Sequence, residues 1–263
     1  STPETVAFLR IIVAAILLSV SFVEDLPSIE RLPLSASRPK GVIVLLDAIP
    51  TFRDFSRNET ALRAFAWLTR ALLGLALVGW RGRITVPAAA IMMLIFGGLL
   101  RSYANSFHAG LLPIWLLFVL SWFPNTDAWS LDARSWNASS APPTSRERRA
   151  LYGWARYTFW SVLSLAYVAA GTSKLFNGGP LWWEPDNMRV ILAMDGLNPM
   201  ELPFRFGLPV ATGPSALLAL LGLSAISVEL GMVSMLYSRR MRWVMPAAMC
   251  ATHVGIALLQ NVL

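Results

Sequence analysis

Apolar runs separated by short polar connections set the frame of this chain. The first, 6–23, is interrupted only by Arg10, which lies near one end where its side chain can snorkel. The run is too long for a signal-peptide core and has no small-residue cleavage site, so it predicts a transmembrane helix. From 24 to 59 the chain turns polar, with Pro27, Pro33, Pro39 and Pro50 among six acids. The apolar piece 41–49 inside it is too short to span a bilayer, which predicts a partly structured interfacial or extramembrane loop.

Further apolar runs follow at 61–80, 84–100, 107–123, 151–171, 216–237 and 243–263. Arg81-Gly-Arg83 makes a tight basic turn between the second and third, predicting an antiparallel hairpin. Between the fourth and fifth, 124–149 is rich in Ser, Asn, Pro and Arg and reads as a basic loop. After the fifth, an Asn-Gly-Gly-Pro-Leu-Trp-Trp sequence opens a long polar stretch. Its 188–194 portion predicts a short interfacial helix, and Trp182 and Trp183 suit the headgroup level. The expected architecture is an all-α polytopic transmembrane bundle of about seven spans plus short interfacial helices, one transmembrane domain over 1–263.

Composition agrees. Hydrophobic residues make up 56% and charged residues only 14% of the chain, outside the range of soluble proteins. The net charge of +7 comes from arginines scattered through the connections rather than from an aromatic-interleaved patch, so loop anchoring is expected and nucleic acid is not. A single cysteine, Cys250, excludes an internal disulfide and a CxxC dithiol. The opening Ser1 and the apolar final residues read as those of a portion of a longer protein.

The connections after the second, fourth and sixth runs carry nine arginines, from Arg81 to Arg242. Those after the first and fifth carry ten of the fifteen acids. Dense basic charge in short loops stays in the cytoplasm. The expected orientation therefore places the N-terminus in the cytoplasm and the loop after the fifth span outside.

Four ionisable residues fall at or near membrane depth: His108, Lys174, Glu229 and His253. Lys174 is one of only two lysines among twenty-two basic residues. It reads either as a snorkelling helix-end lysine or as a functional amine, since desolvation favours the neutral form and makes it a usable base. Glu229 lies about fourteen residues into its run, too deep to snorkel, and requires protonation or a cationic or histidine partner. A buried polar contact between helices is the alternative to a functional role. His253 follows Cys250 at i+3, but one cysteine and two distant histidines do not make a metal site. Asn105, Tyr167, Trp182 and Trp183 are candidate substrate-binding neighbours. Nucleophile-elbow, HExxH and acidic metal motifs are all missing, and no paired broken helices suggest a transporter.

Several stretches, taken in order, resemble the membrane domain of vitamin K-dependent gamma-glutamyl carboxylase, shared with the bacterial HTTM (horizontally transferred transmembrane) domain family. The stretch 107–132 resembles that family's histidine-headed helix ending in a Trp-Ser-x-Asp turn. The stretch 167–175, Tyr-Val-Ala-Ala-Gly-Thr-Ser-Lys-Leu, resembles its Tyr-x-x-Ala-Gly-x-x-Lys-Leu segment. Glu229 and His253 complete the pattern. The resemblance implies a lyase-like membrane enzyme in which Lys174 is the base toward a reduced quinone of the vitamin K hydroquinone type, assisted by His108, His253 and Glu229, with no metal. The sequence departs from the family in showing no sign of the extra-membrane domain that holds the carboxylase's protein substrate, so quinol deprotonation is expected and glutamate carboxylation is not. The resemblance also implies a bacterial plasma-membrane protein surrounded by lipid; separately from the resemblance, the loop 177–206 is expected to offer a docking surface to a protein or peptide partner. A non-catalytic assembly or partner-binding protein is the alternative, and a transporter a distant third.

Overall fold

A computed structural model of the chain describes residues 1–103, 110–137, 146–196 and 206–260. Among these residues the fold is entirely helical, with no strand. The α-helices are α1 (Pro3–Val23), α2 (Val42–Asp47), α3 (Pro50–Phe55), α4 (Glu59–Val78), α5 (Gly82–Arg101), α6 (Leu111–Ser121), α7 (Leu131–Asn137), α8 (Arg146–Gly178), α9 (Pro185–Gly196), α10 (Gly207–Ala211), α11 (Ser215–Gly231) and α12 (Met241–Gln260). Four 3-10 segments, Leu26–Arg31, Leu34–Ala36, Gly179–Trp183 and Met232–Leu236, join them. Five helical segments are long and apolar enough to cross a membrane: α1, α4, α5, α11 with its 3-10 continuation, and α12. That is the composition of an integral membrane protein. Of the other expected spans, the first overlaps α6, which has 11 residues. The second forms part of α8, which has 33 and begins in charged sequence.

The chain divides into two compact units, Ser1–Phe159 and Trp160–Leu263. In the first, α1 packs against α4 and α6, α4 against α5, and α5 against α6, closing a ring of four helices. Fully buried Leu17, Leu62, Leu73, Met93, Phe96 and Leu117 fill its interior. The Asn58 side chain starts α4 by accepting the Ala61 N–H at 3.0 Å. Gly79 ends it with φ of 68°, and the next N–H, of Trp80, returns to the Leu75 carbonyl at 3.0 Å. A side chain at Gly79 would be blocked twice, by its backbone angle and by Ser130, whose Cβ would stand 2.5 Å away.

Arg10 does not snorkel. It is 0% exposed, and its guanidinium donates to four carbonyls: Asn125 at 3.0 Å, Leu77 at 2.7 Å, Trp129 at 2.8 Å, and Ala76. Two of these are carbonyls of the last turn of α4, Ala76 accepting the Gly79 N–H as well, where a cation is also favoured by the helix dipole. The other two belong to the stretch after α6, so a single side chain joins α1, α4 and that stretch.

The region 124–149, expected to be a basic loop, contains α7 and the first turn of α8, and residues 124–133 are closely tied down. The Asn125 amide donates to the carbonyls of Leu120 and Phe123. Ser130 caps α7 through the Ala133 N–H at 2.9 Å. The Asp132 carboxylate accepts the N–H groups of Arg81 and Gly82, at 2.7 and 2.9 Å, thereby capping α5. Asp127 receives Arg148 through Nε and Nη2, both at 2.7 Å, and the Tyr152 hydroxyl at 2.5 Å. The bond to Asp127 holds the Arg148 guanidinium above its ordinary range, so it stays charged at every accessible pH.

In the second unit, α9 packs against α10, α11 and α12, and α11 against α12. Met188, Leu192, Ala211 and Leu218 form one buried cluster there. Met232, Met235 and Met249 form another, covered by Trp160, Leu163 and Tyr167 from α8.

Candidate functional site

Along α8, Trp160, Ser164, Tyr167, Gly171 and Lys174 recur at steps of four, three, four and three residues. That spacing puts them on one face of the helix, as in the seam of a coiled coil. Each meets the elements that follow it in the second unit. Trp160 stacks under Arg242, whose Cζ is 4.4 Å from the ring centroid. The buried Ser164 hydroxyl donates to the Met232 carbonyl at 3.0 Å. The Tyr167 hydroxyl and His253 Nε2 share a hydrogen bond of 3.0 Å, with their rings inclined at 59°. At Gly171 an added Cβ would stand 3.1 Å from Glu229 Cβ and from the Leu230 side chain, so the missing side chain lets α8 approach α11 closely.

That approach brings Lys174, one turn further on, to Glu229. Lys174 Nζ donates directly to Glu229 Oε1. Trp182 covers the ammonium from another side, its ring centroid 5.3 Å from Nζ. Gly178 admits that indole, and Gly222 admits the backbone that carries it. A Cβ at Gly178 would collide with the Trp182 ring, and one at Gly222 would meet the Trp182 carbonyl and stand 2.9 Å from Trp183 Cα. The Gly179–Trp183 turn is thus pressed between the end of α8 and α11.

Glu229 is 8% exposed. Its Oε1 takes Lys174, while its buried Oε2 has no hydrogen-bond partner. The open oxygen is an acceptor held beside the ammonium, able to take a hydrogen bond or, with loss of the carboxylate charge, a proton. In a direct lysine–carboxylate contact, moving the proton between partners keeps the pair neutral overall, so the low-dielectric surroundings oppose it little. The arrangement can therefore hold a proton on the amine or on the acid and present either form to a neighbouring hydroxyl.

Of the residues expected to form a site, Lys174, Glu229, Tyr167, His253, Trp182 and Trp183 all fall in this unit. Lys174 meets both Glu229 and Trp182. Tyr167 and His253 form a second pair, beside the methionine cluster. His108 and Asn105 lie outside the described residues. The sequence reading missed Ser164, Gly171 and Gly222 as site-forming positions. The four-three spacing from Trp160 to Lys174 was the signal that could have found the first two. No group of three or more metal-capable side chains occurs among the described residues. No family model, curated protein or solved structure matches the chain.

Proposed function

We propose that this protein is an integral membrane enzyme in which the Lys174–Glu229 pair takes the proton from the hydroxyl of a lipid-soluble reduced quinone or a similar lipid alcohol. The observation that carries this reading is the direct Lys174–Glu229 contact with the second oxygen of Glu229 left without a partner. A site with an open acceptor and an exchangeable proton suits general-base work on a weakly acidic O–H. The resemblance of 107–132 and 167–175 to the carboxylase-like membrane domain supports the substrate class and the role of Lys174. In the same reading Tyr167 and His253 carry protons toward or away from the pair, and Trp182 fixes the lysine. The chain crosses the membrane seven times, its N-terminus in the cytoplasm and the loop after Lys174 outside, as the distribution of arginines favours.

The test uses the purified protein with a vitamin K-type hydroquinone under oxygen, following quinol loss by absorbance. Lys174→Ala and Glu229→Gln are expected to abolish turnover, and unchanged turnover in a folded variant overturns the assignment. A second reading, a non-catalytic assembly protein, is favoured by the cover over the same pair. Glu229 is nearly buried and Trp182 lies across Lys174, as in a tie that fixes α8 to α11. It predicts that both substitutions lower stability while no quinol is consumed by the wild type.

A further inference from the structure

Between α9, α11 and α12 the second unit has a cleft of about 280 Å³. Met188 and Leu192 of α9 form one wall, Leu221, Ser224 and Ala225 of α11 a second, and residues within 251–260 of α12 the third. Its room comes from small residues, among them Ala225, Ala251 and Gly255. At Gly255 an added Cβ would meet nothing within 4 Å.

No ionisable side chain lines the cleft. Its two hydroxyls are turned to their own helices: Ser224 donates to the Leu221 carbonyl at 2.9 Å, and Thr252 to the Ala248 carbonyl at 3.0 Å. Apart from the Gln260 amide, at the far end of α12, what remains open is hydrocarbon, and it suits an apolar chain rather than a charged ligand.

The cleft adjoins the ion pair. Gly222, Ala225 and Glu229 recur at three and four residues and so share one face of α11. Ala225, in the wall, is one helical turn, about 5.4 Å, from Glu229. Met188, in the α9 wall, closes on Gly222, where an added Cβ would lie 3.1 Å from its Cε and 2.9 Å from Trp183 Cα. The turn that carries Trp182 over Lys174 and the wall of the cleft thus meet at one glycine.

Resting on the function proposed above, we infer that the cleft holds the hydrocarbon tail of the lipid whose hydroxyl meets the Lys174–Glu229 pair, which makes the substrate a tailed quinol and not a bare ring. A chain carbon takes about the space of a water in the liquid, ~30 Å³, so the cleft accommodates roughly nine carbons, about two prenyl units. A bilayer already solvates such a tail, so escape from water is not what draws it in. The cleft instead gives the tail one direction, which holds the ring hydroxyl near Glu229.

The test is photolabelling of the purified full chain in lipid nanodiscs by a naphthohydroquinone whose two-prenyl tail ends in a diazirine, with the labelled residues read by peptide mass spectrometry. In the wild type the label is expected in α9, α11 and α12. Gly255→Leu grows a side chain from an open position and favours its helix, so it is expected to fold and to lose the label. Gly74→Leu, at an equally open glycine of α4, is expected to keep it. Label spread over α1, α4 and α5, as with a diazirine-tailed phosphatidylcholine, or full labelling in Gly255→Leu would overturn the inference. Labelling needs no turnover. A labelled cleft in a protein that consumes no quinol overturns the reaction and leaves the cleft, whereas turnover with the cleft unlabelled overturns the cleft alone.

Discussion

Gly171 stands so close to Glu229 that a methyl group on its Cα would lie 3.1 Å from the Glu229 Cβ. That proximity lets a lysine one turn along α8 reach a carboxylate in the middle of α11.

Substitution at this crossing should be graded. Gly171→Ala requires Glu229 and Leu230 to give by a few tenths of an ångström, and is expected to lower stability by about 1–3 kcal/mol. Gly222→Ala meets the backbone of Trp182 and Trp183, which cannot rotate away, and should be the more damaging of the two. Thermal unfolding in a mild detergent gives the order. Gly222→Ala as stable as wild type would refute the packing described here.

For the ion pair, removing one partner leaves the other charge buried without compensation. Lys174→Met and Glu229→Leu are each expected to destabilise by about 3–5 kcal/mol, while the double variant should recover most of that loss. A double-mutant cycle in the same unfolding assay measures it. Additive losses would mean that the two side chains are not coupled.

Arg10→Met takes a donor from four wholly or partly buried carbonyls, of which Ala76 keeps the Gly79 N–H. At about 1–3 kcal/mol for each orphaned group, the first unit should lose at least about 3 kcal/mol even if some of the carbonyls find other donors. Arg10→Lys keeps the charge but lacks the planar fork that reaches both α4 and the 125–129 backbone, so it should fall between the two. Proteolysis of the region after α6, followed by gel, should increase in both.

At Asp127, Asn cannot accept Arg148 through two charged oxygens. Asp127→Asn is expected to cost about 1.5–3 kcal/mol, the range for a hydrogen bond to a charged group. Combined with Arg148→Gln the loss should be less than the sum of the two. A strictly additive result, again by thermal unfolding, would show that the fork is not holding the start of α8.

How much of this was legible in the sequence varied with the kind of interaction. The five long apolar helices were clear because length and apolar composition decide them, whereas α7 and the first turns of α8 lie in polar and charged sequence that read as a loop. The connection between Lys174 and Glu229 was half visible: a carboxylate about fourteen residues into an apolar run demands a partner, and Lys174 was one of few candidates. Arg10 was misread because an arginine near the end of an apolar run carries the same signature whether it snorkels or turns inward. Its partners are main-chain carbonyls, and carbonyls have no letter in the sequence. Residues 124–133 looked like an ordinary loop for the same reason, since most of their ties run to backbone groups. The seam on α8 was obscured by Arg146, Arg148, Arg149 and Arg156, which interrupt the hydrophobic signal before the small and polar residues of the seam begin.

Arg10 also imposes an order on biosynthesis. Its carbonyl partners lie 66, 67, 115 and 119 residues further along the chain, so when α1 first emerges from the ribosome none of them has been made. An arginine without its acceptors is poorly accommodated in hydrocarbon. Of the four helices of this unit, the first to be synthesised is therefore the last to be fully settled, once translation has passed Trp129. Truncated nascent chains that stop before that residue are the ones in which α1 should remain extractable from the membrane.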